Sequence, residues 1–177
     1  MANKIYYFIG LPGSGKSYAL QMLLGTPNIS GVDMDAHIQY AISDTISNFV
    51  TQNSWQTFRE IEQAALVELT AKYQQQSQGI AIIACGGGTP CFFDNLKFMQ
   101  ANGTTVWFNL PTPTIVSRLV GTANVRPMLQ QNNETIITNF VANLYNERAP
   151  FYNQAHIIIN EAINNKETLL AKLNITL

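Results

Sequence analysis

Strand-like runs recur along the chain at Ile5 to Ile9, Ile29 to Asp33, Ile80 to Ala84, Thr104 to Leu110 and His156 to Asn160. Each has the length of a strand. Between them lie stretches whose apolar residues return every three or four positions, the period of a helix with one buried face. Runs that are apolar at nearly every position belong to strands covered on both sides, and their alternation with helices predicts a parallel α/β sheet. The helical pattern predicts Lys16 to Leu24, with Ala19, Leu20, Leu23 and Leu24 inward, then Asp35 to Ile42. A long helix follows over Trp55 to Tyr73, its apolar set including Trp55, Phe58, Ile61, Ala65, Leu66, Leu69 and Tyr73. Further helices are expected over Pro113 to Val120, over Glu134 to Arg148 with Pro150 as the stop, and near Asn165 to Leu173. Gly121 to Asn133, rich in Gly, Asn, Gln and Thr, reads as a mobile loop.

The 177 residues suit one domain, with no linker and no internal repeat. No long apolar segment and no cleavage-type region precedes the first strand, so a soluble cytoplasmic protein is expected, without a membrane partner. The two cysteines, Cys85 and Cys91, fit neither a C-x-x-C pair nor a zinc site and read as reduced, packed thiols. A net charge of -1 excludes a strongly basic nucleic-acid binder. Charged residues are only 12% of the chain, with Asn and Gln on much of the surface. Against that background the four arginines, Arg59, Arg118, Arg126 and Arg148, stand out as candidates for forked bonding to phosphate or carboxylate.

Chemistry concentrates at a few places. Gly10-Leu11-Pro12-Gly13-Ser14-Gly15-Lys16-Ser17 has the form G-x-x-x-x-G-K-[ST], in which glycines let successive N–H groups point at phosphate oxygens. Lys16 adds a mobile positive charge there and Ser17 a hydroxyl for Mg²⁺. The flanking strand and helix give the motif its required setting. Asp33-Met34-Asp35 puts two carboxylates beyond the second strand, where ligands of open α/β sheets collect. One carboxylate can face a metal and the other an acceptor hydroxyl, or Asp35 is simply a helix cap. Arg59 and Glu62 share a helix face and suit a small acceptor with an acid group and hydroxyls, or form an ordinary surface pair. Gly86, Gly87 and Gly88 follow the third strand, where bare N–H groups can meet a ligand. No acidic residue ends that strand, so the metal's more distant carboxylate falls to Asp33. Arg126 lies in the expected mobile loop, from which an arginine can close over a nucleotide. His37 and His156 read as ordinary surface or strand-edge residues.

Taken in order, the motif Gly10 to Ser17, the Asp33-x-Asp35 pair, Phe58-Arg59 with Glu62, Gly86-Gly87-Gly88, Arg126-Pro127 and Arg148-x-x-x-Tyr152-x-x-Ala155 resemble the shikimate kinase family over nearly the whole chain. The resemblance implies a three-layer P-loop kinase fold of nucleoside-monophosphate-kinase type. Its sheet would be five-stranded and parallel in the order 2-3-1-4-5, with helices on both faces and a mobile lid at about 121–133. It implies transfer of the γ-phosphoryl group of ATP to the 3-hydroxyl of shikimate with Mg²⁺, by an enzyme expected to be monomeric. Gly13, Ser14, Gly15, Lys16, Ser17 and Tyr18 would bind ATP, with Arg118 near the adenine and Arg126 on the phosphates. Ser17 and Asp33 would serve the metal. Asp35 would be the base, and Arg59, Glu62, Gly86, Gly87, Gly88 and Arg148 would hold the acceptor within a region around 33–62 and its neighbours, with Phe49 and Phe58 as apolar walls.

The chain departs from the family pattern at Asn53-Ser54-Trp55-Gln56, where a Gly-Glu pair is usual, and in a lid poor in basic residues that carries Met128 where Leu is usual. The second departure implies weaker ATP binding. Glu161 to Asn165, which should adjoin the adenine, has no clear signature. A P-loop kinase for another hydroxylated acceptor, such as gluconate or a nucleoside monophosphate, is the alternative, and a nucleotide-binding module without catalysis is a rival of another class.

Overall fold

The computed structural model describes residues 4–76, 79–120 and 133–176. Arg126 and the rest of 121–132 lie outside them. Strands β1 (Lys4–Ile9), β2 (Ile29–Asp33), β3 (Ile80–Ala84), β4 (Thr104–Phe108) and β5 (Ile157–Ile159) form one parallel sheet in the order β2-β3-β1-β4-β5. The expected order and strand set are therefore present, β4 and β5 being shorter than the expected Thr104 to Leu110 and His156 to Asn160. Among the described residues the helices are α1 (Lys16–Leu23), α2 (Met34–Ile42), α3 (Ile46–Gln52), α4 (Trp55–Gln74), α5 (Asn95–Asn102), α6 (Thr112–Val120), α7 (Glu134–Tyr152) and α8 (Lys166–Lys172). None is long and apolar enough to cross a membrane.

Two cores lie on opposite faces of the sheet because successive strand side chains point to opposite sides. Ile5, Tyr7 and Ile9 of β1 meet Phe58, Leu66 and Leu69 of α4 and Ile137 and Val141 of α7. Tyr6 and Phe8 turn the other way, to Ala19, Leu20 and Leu23 of α1 and Leu169 and Leu173 at the end of the chain. Helix α1 comes close to β2 at Gly31, where a Cβ would lie 2.5 Å from a Leu20 methyl and 2.7 Å from the Ile82 carbonyl oxygen.

Register decides where the chemistry sits. Ala84 pairs with Phe8 on one side and Asp33 on the other, so β1, β2 and β3 end level with one another. The segments that follow them emerge at one edge of the sheet: the glycine-rich turn after β1, Asp35 after β2 and the glycines after β3.

Several expectations need correcting. The helix expected to stop at Arg148 runs through Pro150 to Tyr152. Proline's missing N–H leaves only the carbonyl four residues earlier unpaired, and that residue, Asn146, is exposed to water. Arg148 through Tyr152 therefore lies within the helix, not after it. Trp55 is 45% exposed rather than core, because its ring lies edge-on to Phe58 and beside the Arg59 guanidinium at the start of α4. Leu24 is also exposed, as the extended residue that closes α1. The helical pattern gave no warning of α3 or α5, which are seven and eight residues long.

Candidate active site

The turn Gly10–Ser17 forms the nest expected of its sequence. Gly13 and Gly15 have φ of 81° and 100°, values that L side chains resist, and these turns lead the backbone into α1. Helices α2, α3, α4, α7 and α8 each begin with a side chain accepting a hydrogen bond from the first turn, whereas Gly15 gives α1 no such cap. The first-turn N–H groups of α1, with the positive end of its dipole, thus face the cleft without a competing side chain, and this suits an anion. The Lys16 ammonium group is folded onto the turn, donating to the Gly10 and Leu11 carbonyls at 2.9 and 3.0 Å. The cleft above it has a volume of about 510 Å³ and is lined by Ser17, Asp33, Asp35, Gly87, Arg118 and Ile163 among others. Arg118 donates to the Gly13 carbonyl at 3.1 Å, and Tyr18, 60% exposed, flanks the opening. Ile163 and Asn164 on the same wall fall within the stretch expected beside the adenine.

The two aspartates have different duties. Asp33, not Asp35, is the cap of α2, accepting from the Ala36 N–H at 3.1 Å. Its other oxygen accepts from the Ser17 hydroxyl at 2.5 Å. A hydroxyl beside a carboxylate at the mouth of the nest is a hard-oxygen donor set, and Mg²⁺ in phosphoryl-transfer sites takes one or two such protein oxygens together with substrate phosphates. Ser17 and Asp33 therefore fit that ion. Among the described residues no group of three His, Cys, Asp or Glu side chains could form a protein-only metal cage. Asp35, in the first turn of α2, reaches the glycines that follow β3.

Those glycines explain how the other groups converge. None of the three has positive φ, so the requirement is space and not backbone freedom. A Cβ at Gly86 would lie 2.7 Å from both an Asp35 and a Glu62 carboxylate oxygen. At Gly87 it would lie 3.0 Å from Arg148 Nη1, and at Gly88 2.6–2.7 Å from three guanidinium atoms of Arg59. Each bare Cα makes room for a different charged group. Arg59 is 8% exposed and Glu62 1%, and Arg59 Nη1 donates to Glu62 at 2.6 Å. The Arg59 guanidinium carbon lies 4.5 Å from the centre of the Phe92 ring and 5.3 Å from that of Phe58. Its Nε is buried with no hydrogen-bond partner, so the guanidinium retains an uncommitted donor. Arg148 and Tyr152 stand four apart on α7 and so share a face, and the Tyr152 hydroxyl donates to the Gly87 carbonyl. Burial raises that hydroxyl above the ordinary tyrosine range and keeps it a donor.

Both thiols are free, as expected. Burial pushes Cys85 well above the usual thiol range and Cys91 up to about 11, so neither is a thiolate at neutral pH. Cys85 lines the cleft at the end of β3, keeping that position neutral. His156 binds Thr105 through its ring and backbone at the strand edge, and His37 lies 4.0 Å from exposed Glu68, so neither approaches the cleft chemistry. Phe49 packs partly buried against the core and Phe58 is 2% exposed.

A family model described as shikimate kinase matches residues 12–177. The chain belongs to the shikimate kinase family. It is 34% identical over 86% of its length to a shikimate kinase of Azobacteroides pseudotrichonymphae genomovar. CFP2, of which 86% is covered. It is 32% identical over 87% of its length to that of Parabacteroides distasonis, with 86% of that chain covered. The crystal structure of shikimate kinase from Bacteroides thetaiotaomicron superposes with a TM-score of 0.82 at 27% identity, covering 97% of this chain and 94% of that one. Within this shikimate kinase fold, sequence reasoning missed Thr89, whose hydroxyl binds Glu62, and the contact of Tyr152 with Gly87. The Arg148-x-x-x-Tyr152 spacing carried the second signal, because four residues is one helical turn. Thr89 carried none that a lone threonine after three glycines could give.

Proposed function

We propose that this chain transfers the γ-phosphoryl group of ATP to the 3-hydroxyl of shikimate, giving ADP and shikimate 3-phosphate. The observation that carries the reading is the approach of two guanidinium groups, from Arg59 and Arg148, to adjacent glycines beside the Asp35 carboxylate at the edge of a phosphate-type nest. A small acid with hydroxyls satisfies that set. Its carboxylate pairs with the two cations and the Gly87 N–H, Gly86 and Gly88 leave space for the flanking groups, and Glu62 lies near its hydroxyls. An acceptor lacking the acid group would forgo the charge-assisted bonds to Arg59 and Arg148 and leave the buried Arg59 Nε without a partner, which costs more than losing one hydroxyl.

On this reading Gly13, Ser14, Gly15, Lys16, Ser17 and Tyr18 bind ATP, with Arg118 on the adenine side. Arg126, outside the described residues, adds charge to the phosphates from a lid at about 121–133. Ser17 and Asp33 would hold Mg²⁺, which would supply positive charge to offset that of the phosphates. Asp35 orients the acceptor hydroxyl and takes its proton, a task for which its neighbour Asp33, committed to Ser17 and the α2 cap, is poorly placed. The reading carries with it a cytoplasmic enzyme of one domain acting as a monomer, and the net charge of -1 supports the absence of a nucleic-acid partner.

A coupled assay of ADP release with shikimate, gluconate and nucleoside monophosphates as acceptors tests the proposal. Shikimate is expected to be strongly preferred and to yield a product heavier by one phosphoryl group. Preference for another acceptor would reverse the assignment. ATP binding without ADP release under saturating shikimate and Mg²⁺ would instead favour a non-catalytic module.

A further inference from the structure

We infer that Thr89 is a positioning residue of the acceptor clamp, acting on Arg59 through Glu62; the inference rests on the reading above that Arg59 grips the acceptor's carboxylate. Thr89 is fully buried at the start of a 3₁₀ turn, Thr89–Cys91, that continues directly from the three glycines. Its N–H donates to the Gly86 carbonyl at 3.1 Å, which makes it part of the same turn. Its hydroxyl lies 2.7 Å from Glu62 Oε1 and must be the donor, since a carboxylate only accepts. Behind it, Asn95, 2% exposed, donates to the Thr89 carbonyl at 2.9 Å. A buried chain of hydrogen bonds thus runs from Asn95 at the start of α5 through Thr89 and Glu62 to Arg59.

The chain divides the two oxygens of Glu62. Oε1 is held by Thr89 and Oε2 by Arg59 Nη1 at 2.6 Å. Without the threonine hydroxyl, the carboxylate can turn about its last torsion and present both oxygens to Arg59, the bidentate geometry that carboxylate and guanidinium favour. Glu62 would then compete with the acceptor's own carboxylate for the guanidinium. With the hydroxyl in place, Glu62 holds Arg59 by one nitrogen and leaves donors such as the unpartnered Nε uncommitted. Packing alone gives no reason for threonine, because valine fills nearly the same volume and would bury no hydroxyl.

The test compares the parent enzyme with Thr89→Val, Thr89→Ala and Thr89→Ser, using shikimate and its methyl ester as acceptors. Removing a donor to a buried carboxylate is expected to raise the shikimate KM about tenfold in the Val and Ala variants. Their kcat and ATP KM should stay within about twofold, the Ser variant should match the parent, and the preference for shikimate over the uncharged ester should shrink. A merely structural role would leave that preference unchanged. Unchanged shikimate KM in folded Val or Ala protein, or an undiminished preference for the acid, overturns the inference while the functional reading stands. A Ser variant as impaired as Val also overturns it. Parent enzyme that phosphorylates neither acceptor would instead bring down the functional reading. If Val fails to fold, Ala and Ser decide.

Discussion

Asp33 and Asp35 are separated by one residue, yet their surroundings give them different work. Asp33 holds the Ala36 N–H and the Ser17 hydroxyl at the mouth of the nest, and Asp35 lies against Gly86 in the same cleft. Replacing Asp35 by Asn keeps size and removes the proton acceptor. Turnover is expected to fall by about two to four powers of ten while ATP affinity survives, a split that single-turnover kinetics and calorimetry would reveal. Unchanged turnover would leave Asp35 as a helix-end charge. Arg59 and Arg148 make a separate prediction, because their guanidinium groups meet the glycine turn at Gly88 and Gly87. Truncation of either to Ala should weaken shikimate by about ten- to a hundredfold, the value of a charge-assisted pair, with ATP affected little. Equal weakening of both ligands would point to a disturbed fold.

At the scale of elements, what the sequence displayed followed from how strongly a local pattern constrains the backbone. Strands β1 and β3 and helix α4 were legible because near-continuous apolar runs and a long period of three and four leave few alternatives. Helices α3 and α5 were not, because α3 buries no side chain fully and the apolar positions of α5, such as Leu96 and Met99, do not repeat far enough to stand out. The end of α7 was not legible from Pro150, because a tertiary contact opposes proline's penalty: Tyr152 is fully buried and bonded to Gly87. For the site, the residues could be named, but the reason for three glycines could not, since it lies in side chains arriving from α2, α4 and α7. That reason yields a comparison. Gly88→Ala would drive a methyl into the movable end of Arg59, so the protein should fold normally and bind shikimate about tenfold or more weakly. Gly31→Ala would meet the Ile82 carbonyl and Leu20 in the packed interior. It should cost about 1–3 kcal/mol of stability as overpacking does with little change in acceptor KM. Thermal melts paired with acceptor titrations separate the two, and an unmoved acceptor affinity in Gly88→Ala would refute the spatial argument.

The whole molecule is built around β1, hydrogen-bonded to β3 on one side and β4 on the other, and that strand carries a titratable group into the interior. Tyr7 is completely buried, its hydroxyl 2.9 Å from Thr70 Oγ1 on α4. Thr70 also lies 2.7 Å from the Leu66 carbonyl and donates its single proton there, so the tyrosine supplies the proton of the other bond. Burial pushes the Tyr7 phenol up to about 12, and burial raises Tyr6, Tyr73 and Tyr152 as well. In the unfolded chain a tyrosine ionises near 10. Between about pH 10 and 12 the unfolded state therefore binds fewer protons than the folded one, and stability falls as pH rises. The stabilising difference is complete below the unfolded value and is lost as the pH climbs through the folded one. Tyr7→Phe separates this effect from packing, because the ring remains and only the hydroxyl goes. At neutral pH the variant should be less stable by about 1 kcal/mol, the net worth of one hydrogen bond. Above about pH 10 its stability should decline less steeply than the parent's, since one fewer phenol must be carried inside protonated. Urea midpoints measured from neutral pH to about 11 would trace both curves. Parallel curves would mean that the alkaline loss arises elsewhere than at the centre of the sheet.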